Sequence, residues 1–191
     1  MGTIKKKIDM QTDVFSGISA VFAVANGLPD GLNLGSADMT EFPVSDDSGF
    51  NFDTGSPSVE HFKVKGLNAD WVNTFTPGDG EIKLEVPCNG TDILTLVGMT
   101  GTAASLTLPS GVSSVGTAAT GKSFPVPQKA VYLGLVILND TEDKLLFIKK
   151  AKLMAQIIFD GSNKPLCVVL TGSISAAAAT DAMGICTIAN P

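Results

Sequence analysis

Residues 81 to 86 read Glu-Ile-Lys-Leu-Glu-Val, an unbroken alternation of charged and aliphatic side chains. Such a pattern matches a backbone period of two and not the 3.6 of a helix, so Ile82, Leu84 and Val86 share one face of a strand and three charges share the other. His61 to Lys65 alternates in the same way, and Thr76-Pro77-Gly78-Asp79-Gly80 supplies turn chemistry between the two. Two solvent-facing strands joined through a turn are therefore expected here. Downstream, Val131 to Leu138 is continuously apolar, Asn139 to Asp143 turns the chain, and Lys144 to Ile148 runs back as a hairpin. Residues 151–159 and 166–174, separated by Asp160 to Pro165, read as a second hairpin, which makes the C-terminal half an antiparallel meander. Only Thr91 to Val97 looks helical, with Asn89, Thr91 and Asp92 at its start and Gly98 behind it. The expected fold is mainly β: one domain over residues 1–191, an antiparallel β-sandwich or barrel with one short flanking helix and long uncharged loop and terminal arms.

The loop arm is the 24-residue run from Gly98 to Gly121, which contains no charge and consists mostly of Gly, Ala, Ser, Thr and Val. A free loop of that length is uncommon in a compact domain, and ordering each residue costs roughly 1–2 kcal/mol, most for Gly. Leu106, Leu108, Val112 and Val115 offer the compensating apolar area, and burial against another subunit would use it. Residues 98–124 are accordingly expected to form an inter-subunit loop. Residues 175–191 have the same character and read as a C-terminal arm, with Ile185 and Ile188 as its apolar contacts. Both chain ends are expected to be held by neighbouring copies.

Composition narrows the function. All 13 basic residues are Lys, none is Arg, and 19 acidic residues bring the net charge to -6. The bidentate phosphate and guanine contacts that Arg provides are missing and the average field repels phosphate, so a nucleic-acid grip is excluded. With one His, one Tyr and one Trp, the chain has few groups for acid–base chemistry near neutral pH, and no catalytic residue, cofactor or metal is expected. Cys88, Cys167 and Cys186 lie far apart without the spacing of a zinc set and read as small apolar residues. Gly116-Thr117-Ala118-Ala119-Thr120-Gly121-Lys122-Ser123 matches a phosphate-binding loop letter for letter. That loop works only between a strand and a helix, and Pro125 and Pro127 forbid the helix. Asp38, Asp46, Asp47 and Asp53 match no calcium-loop spacing. Lys5 to Lys7 and Ala23-Val24-Ala25 imitate a secretory leader, but Asp9, Gln11 and Asp13 interrupt it and the apolar stretch is shorter than the roughly 20 residues of a membrane span. A soluble, unprocessed chain with no membrane partner is expected.

The order of these features resembles the major tail tube proteins of long-tailed, siphovirus-like bacteriophages. The residues that carry the resemblance are Glu60 to Gly66, Asp70-Trp71, the strand entry from Pro77 to Pro87, the short helix from Thr91 to Val97, and Ile148 to Asp160 closing on Lys164-Pro165-Leu166 with Val168 to Gly172. The resemblance covers about residues 40 to 175. It implies a self-assembling virion subunit: six copies close into a ring through inner-sheet strands, and rings stack into a tube whose lumen conducts DNA transiently and without sequence preference. The tape measure and other tail proteins would be partners, and the location would be the virion tail, with assembly in the host cytoplasm. The alternative from a different class is a virion-surface or extracellular β-sandwich used for decoration or adhesion, which would need an exposed aromatic patch for host glycans.

Overall fold

The computed structural model describes residues 14–44, 49–66, 72–78, 80–87, 90–99, 101–125, 129–159, 161, 165–175 and 182–189. Strands dominate them: β1 (Ala20–Ala25), β2 (Thr40–Phe42), β3 (Phe50–Asp53), β4 (Ser58–Phe62), β5 (Val72–Thr76) and β6 (Glu81–Val86) precede the helix α1 (Thr91–Leu96). After it come β7 (Thr102–Thr107), β8 (Ala118–Ser123), β9 (Val131–Leu138), β10 (Lys144–Ile158), β11 (Cys167–Ile174) and β12 (Met183–Thr187). The strands run in the order β2-β1-β9-β10-β11-β6-β3 across one antiparallel sheet, to which β12 adds by pairing with β10. The expected mainly β, antiparallel, sandwich-like fold with one short helix is what forms.

Alternation decides which face is inside. Ile82, Leu84 and Val86 of β6 are fully buried and meet Leu133, Leu135 and Ile137 of β9 and Val168 and Leu170 of β11 in one core. Glu81 and Lys83 stay outside, where Lys83 Nζ lies 2.8 Å from Glu85 Oε1. The hydrogen bond to Glu85 is the largest of the influences that raise the Lys83 pKa. Ile93, Leu94 and Val97 of the α1 region pack on the same core. A helix of six residues is about 9 Å long, whereas seven strands span roughly 29 Å, so α1 alone cannot seal this face. Phe15, Phe50, Phe52, Phe124 and Met183 supply further cover around it.

Strand β10 departs from expectation in an instructive way. Residues 144–148 and 151–159 read as two strands, yet Lys144–Ile158 is one strand of 15 residues. Its register against β9 moves from Ile148↔Leu135 to Ala151↔Leu133, so one extra residue is accommodated at Lys149 and Lys150. The bulge switches the parity of the alternation: Leu146 and Ile148 before it and Ala151, Leu153 and Ala155 after it all reach the core. Backbone groups released by the bulge find partners, because the Leu28 N–H donates to the Lys149 carbonyl (2.7 Å) and the Lys149 N–H donates to that of Ala182 (2.9 Å).

The helix ends as the sequence indicates but starts differently. The N-cap is Gly90, without a side-chain capping bond, instead of an Asn or Thr side chain. At the other end Gly98 takes φ +79°, its N–H donates to the Thr95 carbonyl (3.1 Å), and the Met99 N–H donates to that of Leu94 (2.8 Å). This pair of bonds is the Schellman arrangement, with buried Met99 as its apolar partner. The leader-like Ala23-Val24-Ala25 is part of β1, and β1 pairs with both β2 and β9 inside the sheet. Trp71, Asp46, Asp47 and Cys88 lie outside the described residues, as do residues 1–13 and 190–191.

Candidate functional site

Two hairpins stand apart from the main sheet. Among the described residues β4 pairs only with β5, and β7 only with β8, each as a separate two-stranded sheet. An isolated pair of strands is marginally stable in water unless something packs on it, and these pairs are exposed along almost their whole length.

Within residues 98–124, expected to form an inter-subunit loop, the chain folds as the β7–β8 hairpin. Small β-permissive residues pair in register from Thr102↔Ser123 to Thr107↔Ala118, and the Leu108 N–H donates to the Thr117 carbonyl (2.6 Å) before the chain turns. Leu106 lies on one face with Ala104, Ala119 and Gly121, a smooth and uncharged surface. Leu106 is 67% exposed, Val112 63% and Val115 96%, while Leu108 is half-buried. Lys122, on the opposite face, reaches back to α1 and donates to Thr95 Oγ1 at 3.2 Å.

The β4–β5 hairpin was not anticipated. His61 to Lys65 reads as a strand leading to β6, but β4 ends at Phe62 and its partner is Val72–Thr76. Val59 and Phe75 are register partners on one face, beside His61 Nδ1 and Asn73 Oδ1 at 3.0 Å. Phe62 and Val72 are partners on the other face. Phe62 and Phe75 are both about two-thirds exposed. The sequence signal was the apolar pair in Val72-Asn73-Thr74-Phe75, obscured because strands with apolar residues on both faces do not alternate.

Residues of the expected C-terminal arm divide. Met183–Thr187 is a strand of the main sheet, registered from Lys144↔Thr187 to Ile148↔Met183. Ile185 and Ile188 remain exposed on it and just beyond it. The structure therefore does not bring Leu106, Leu108, Val112 and Val115 into one element with Ile185 and Ile188. The first four belong to a detached hairpin and the last two to the sheet.

The chemistry-bearing residues are dispersed. The phosphate-loop look-alike runs into strand β8, whose extended backbone points successive amides to opposite sides instead of converging them on one anion, and no helix follows within the described residues. Among the described residues no group of three or more His, Cys, Asp or Glu could hold a metal ion. Cys167 Sγ lies 3.4 Å from the Pro165 carbonyl oxygen, and Cys186 is exposed on β12. The densest polar cluster is the β9–β10 turn. Buried Asn139 donates to Thr141 Oγ1 and Asp143 Oδ1, both at 2.7 Å, and accepts from the Lys144 N–H at 2.9 Å. Hydrogen bonds from Thr141, Asn139 and Lys144, in that order of weight, hold the Asp143 carboxyl well below the usual carboxylate range. Every buried side-chain polar atom among the described residues has a partner, so the buried part of this cluster, Asn139 and Lys144, is a satisfied turn. Among the described residues no helix is long and apolar enough to cross a membrane.

What the geometry defines is a class: a mainly β protein with a sealed antiparallel core and two detached hairpins carrying exposed apolar side chains. No protein-family model matches the chain, and no curated protein matches it.

Proposed function

We propose that this chain is a structural subunit that assembles with copies of itself. The observation that carries the reading is the pair of hairpins, which among the described residues hydrogen-bond to no other strand and which hold Phe62, Phe75, Leu106 and Val115 in water.

In its fuller form the proposal is a tail-tube-like virion subunit, with rings of six copies stacked into a DNA-conducting tube and the tape measure as a further partner. The resemblance in residues 40 to 175 supports this form, as do the absence of Arg and the net charge of -6, which suit a lumen that must let phosphate slide past. Negative-stain microscopy and sedimentation of the purified chain test it: rings or tubes are expected. Replacing residues 103–122 by two glycines joins Thr102 to Ser123, which already sit opposite each other. The product is expected to stay folded and soluble and to form no tubes. A wild-type chain that remains monomeric at high concentration would refute the proposal.

A further inference from the structure

The turn that follows β1 brings together two groups that can react with each other. Asn26 and Gly27 both take positive φ, +66° and +109°, a conformation open to glycine and better tolerated by asparagine than by most side chains. Asn26 is exposed. Its N–H donates to the Tyr132 carbonyl (2.8 Å), but its carboxamide and the Gly27 N–H form no hydrogen bond among the described residues. Other asparagines are held. Asn33 Oδ1 accepts from the Gly35 N–H (3.1 Å), Asn73 Oδ1 lies 3.0 Å from His61 Nδ1, and buried Asn139 has both ends of its carboxamide bonded. These three and Asn51 of β3 are followed by Leu34, Thr74, Asp140 and Phe52, each with a side chain that crowds its own nitrogen.

A free carboxamide ahead of a glycine is open to attack by the next backbone nitrogen, because no Cβ obstructs the approach. The Gly27 nitrogen gives its proton to solvent base and bonds to Asn26 Cγ, the Cγ–Nδ2 bond breaks, and the leaving nitrogen takes a proton from water to depart as ammonia. Water then opens the five-membered imide. Breaking the new N–Cγ bond yields aspartate, and breaking the old backbone bond instead yields isoaspartate. One water enters, one ammonia leaves, and no atom changes oxidation state. Charge favours the first step. A Cβ placed on Gly27 would lie 3.5 Å from Lys150 Cγ, and the Lys150 ammonium sits over the Tyr132 ring, 4.8 Å from its centroid, so a cationic side chain passes beside the nitrogen that becomes anionic. The neighbouring Lys149 ammonium is offset by Asp30 at 3.2 Å.

We infer that Asn26 and Gly27 form a site of spontaneous deamidation through a succinimide, which adds one negative charge to the chain and, in the isoaspartyl product, one extra carbon to the backbone of the turn. That carbon falls between two anchors. On one side is the bond from Asn26 to Tyr132, and on the other the Leu28 N–H donates to the Lys149 carbonyl (2.7 Å) while the Leu28 side chain is buried with Val24, Val136 and Phe147 on the second face of the sheet. The inference is independent of the self-assembly reading.

The test ages the purified full chain in mildly alkaline buffer, folded and in guanidinium chloride, and maps its peptides by mass spectrometry, with isoaspartate detected by methylation with an isoaspartate methyltransferase. The peptide holding residues 26 and 27 should gain the mass of an –NH2 to –OH exchange and accept methyl groups. Its rate in the folded chain should be within about tenfold of that in denaturant, whereas a reaction that needs global unfolding would be slower by about 10³-fold or more. Asn26→Gln, which cannot close a five-membered imide, should lose both signals and keep the circular dichroism of wild type. The comparison of folded with unfolded wild type stands even where that variant misfolds. An unmodified peptide, a rate deficit larger than about tenfold, methylation confined to the other Asn-Gly pair at Asn89 and Gly90, or a signal at position 26 that persists in Asn26→Gln would each overturn the inference.

Discussion

The main sheet and the two hairpins are built from the same secondary structure and obey opposite rules. In the sheet the alternation sorts side chains, so that Ile82, Leu84, Leu135, Ile137 and Leu153 reach nearly zero exposure. In the hairpins exposed apolar residues accumulate instead, and among the described residues the only strand each pairs with is its own neighbour. Stability therefore belongs to the sheet, and on the self-assembly proposal association belongs to the hairpins, so a substitution of the same chemical size should have different consequences in each.

The widest separation is expected for added methyl groups. Gly172 lies where a Cβ would overlap the Lys152 carbonyl oxygen, and Gly101 where it would overlap that of Ser123 at the base of β7–β8. Gly172→Ala should cost more than about 4 kcal/mol in urea denaturation, since a sheet-interior backbone must move. Gly101→Ala should shift the hairpin relative to the body with little change in denaturation midpoint, so its effect belongs in the assembly assay. Next, Leu153→Ala should destabilise the fold by roughly 2–5 kcal/mol. Leu106→Ala removes the same methylenes from an exposed site and should stay within about 0.5 kcal/mol. A comparable loss at Leu106 in the isolated subunit would show that the hairpin is part of the core and dissolve the contrast.

Acid should act on the sheet and spare the hairpins. Asp143 has a lowered pKa in the folded chain, so the stability it confers is present above its unfolded value of about 3.9 and is lost as pH falls through the lower folded value. Wild type should therefore melt above Asp143→Asn by a constant margin above about pH 5, and that margin should narrow progressively as pH falls from about 4 toward the lower folded value. The smallest effect is expected for Lys122→Ala, which loses one exposed bond to Thr95. Its melting temperature should be unchanged within error, and saturable ATP binding should be absent before and after the change.

How much of this was legible in the sequence follows the same division. β6 and β9 to β11 were readable because burying one face, or both, imposes a pattern on the residues. β10 reads as two strands because the bulge at Lys149 and Lys150 shifts the alternation by one, and two charges in the middle of an apolar run look like a break. β7 and β8 were invisible as strands, since Thr, Ala, Ser and Gly show no apolar period. Their absence of charge was visible, and it marked the segment without revealing its shape. β12 reads as part of an arm because Met-Gly-Ile-Cys-Thr lacks alternation; it forms where β10 offers it an edge.

The register of β1 also fixes an order of events during synthesis. Ala25 pairs with Leu133, more than a hundred residues downstream, whereas β9 finds β10 across a five-residue turn. On the ribosome, β1 thus emerges with Val21, Ala23 and Val24 unsheltered from its main partner and must wait for the 131–158 hairpin to be translated before it can dock. Nucleation falls to the C-terminal half, where contacts are local and loop closure is cheapest. The first strand made is then among the last to be placed, and slowing translation between residues 26 and 130 should lengthen the interval in which nascent chains are captured by chaperones.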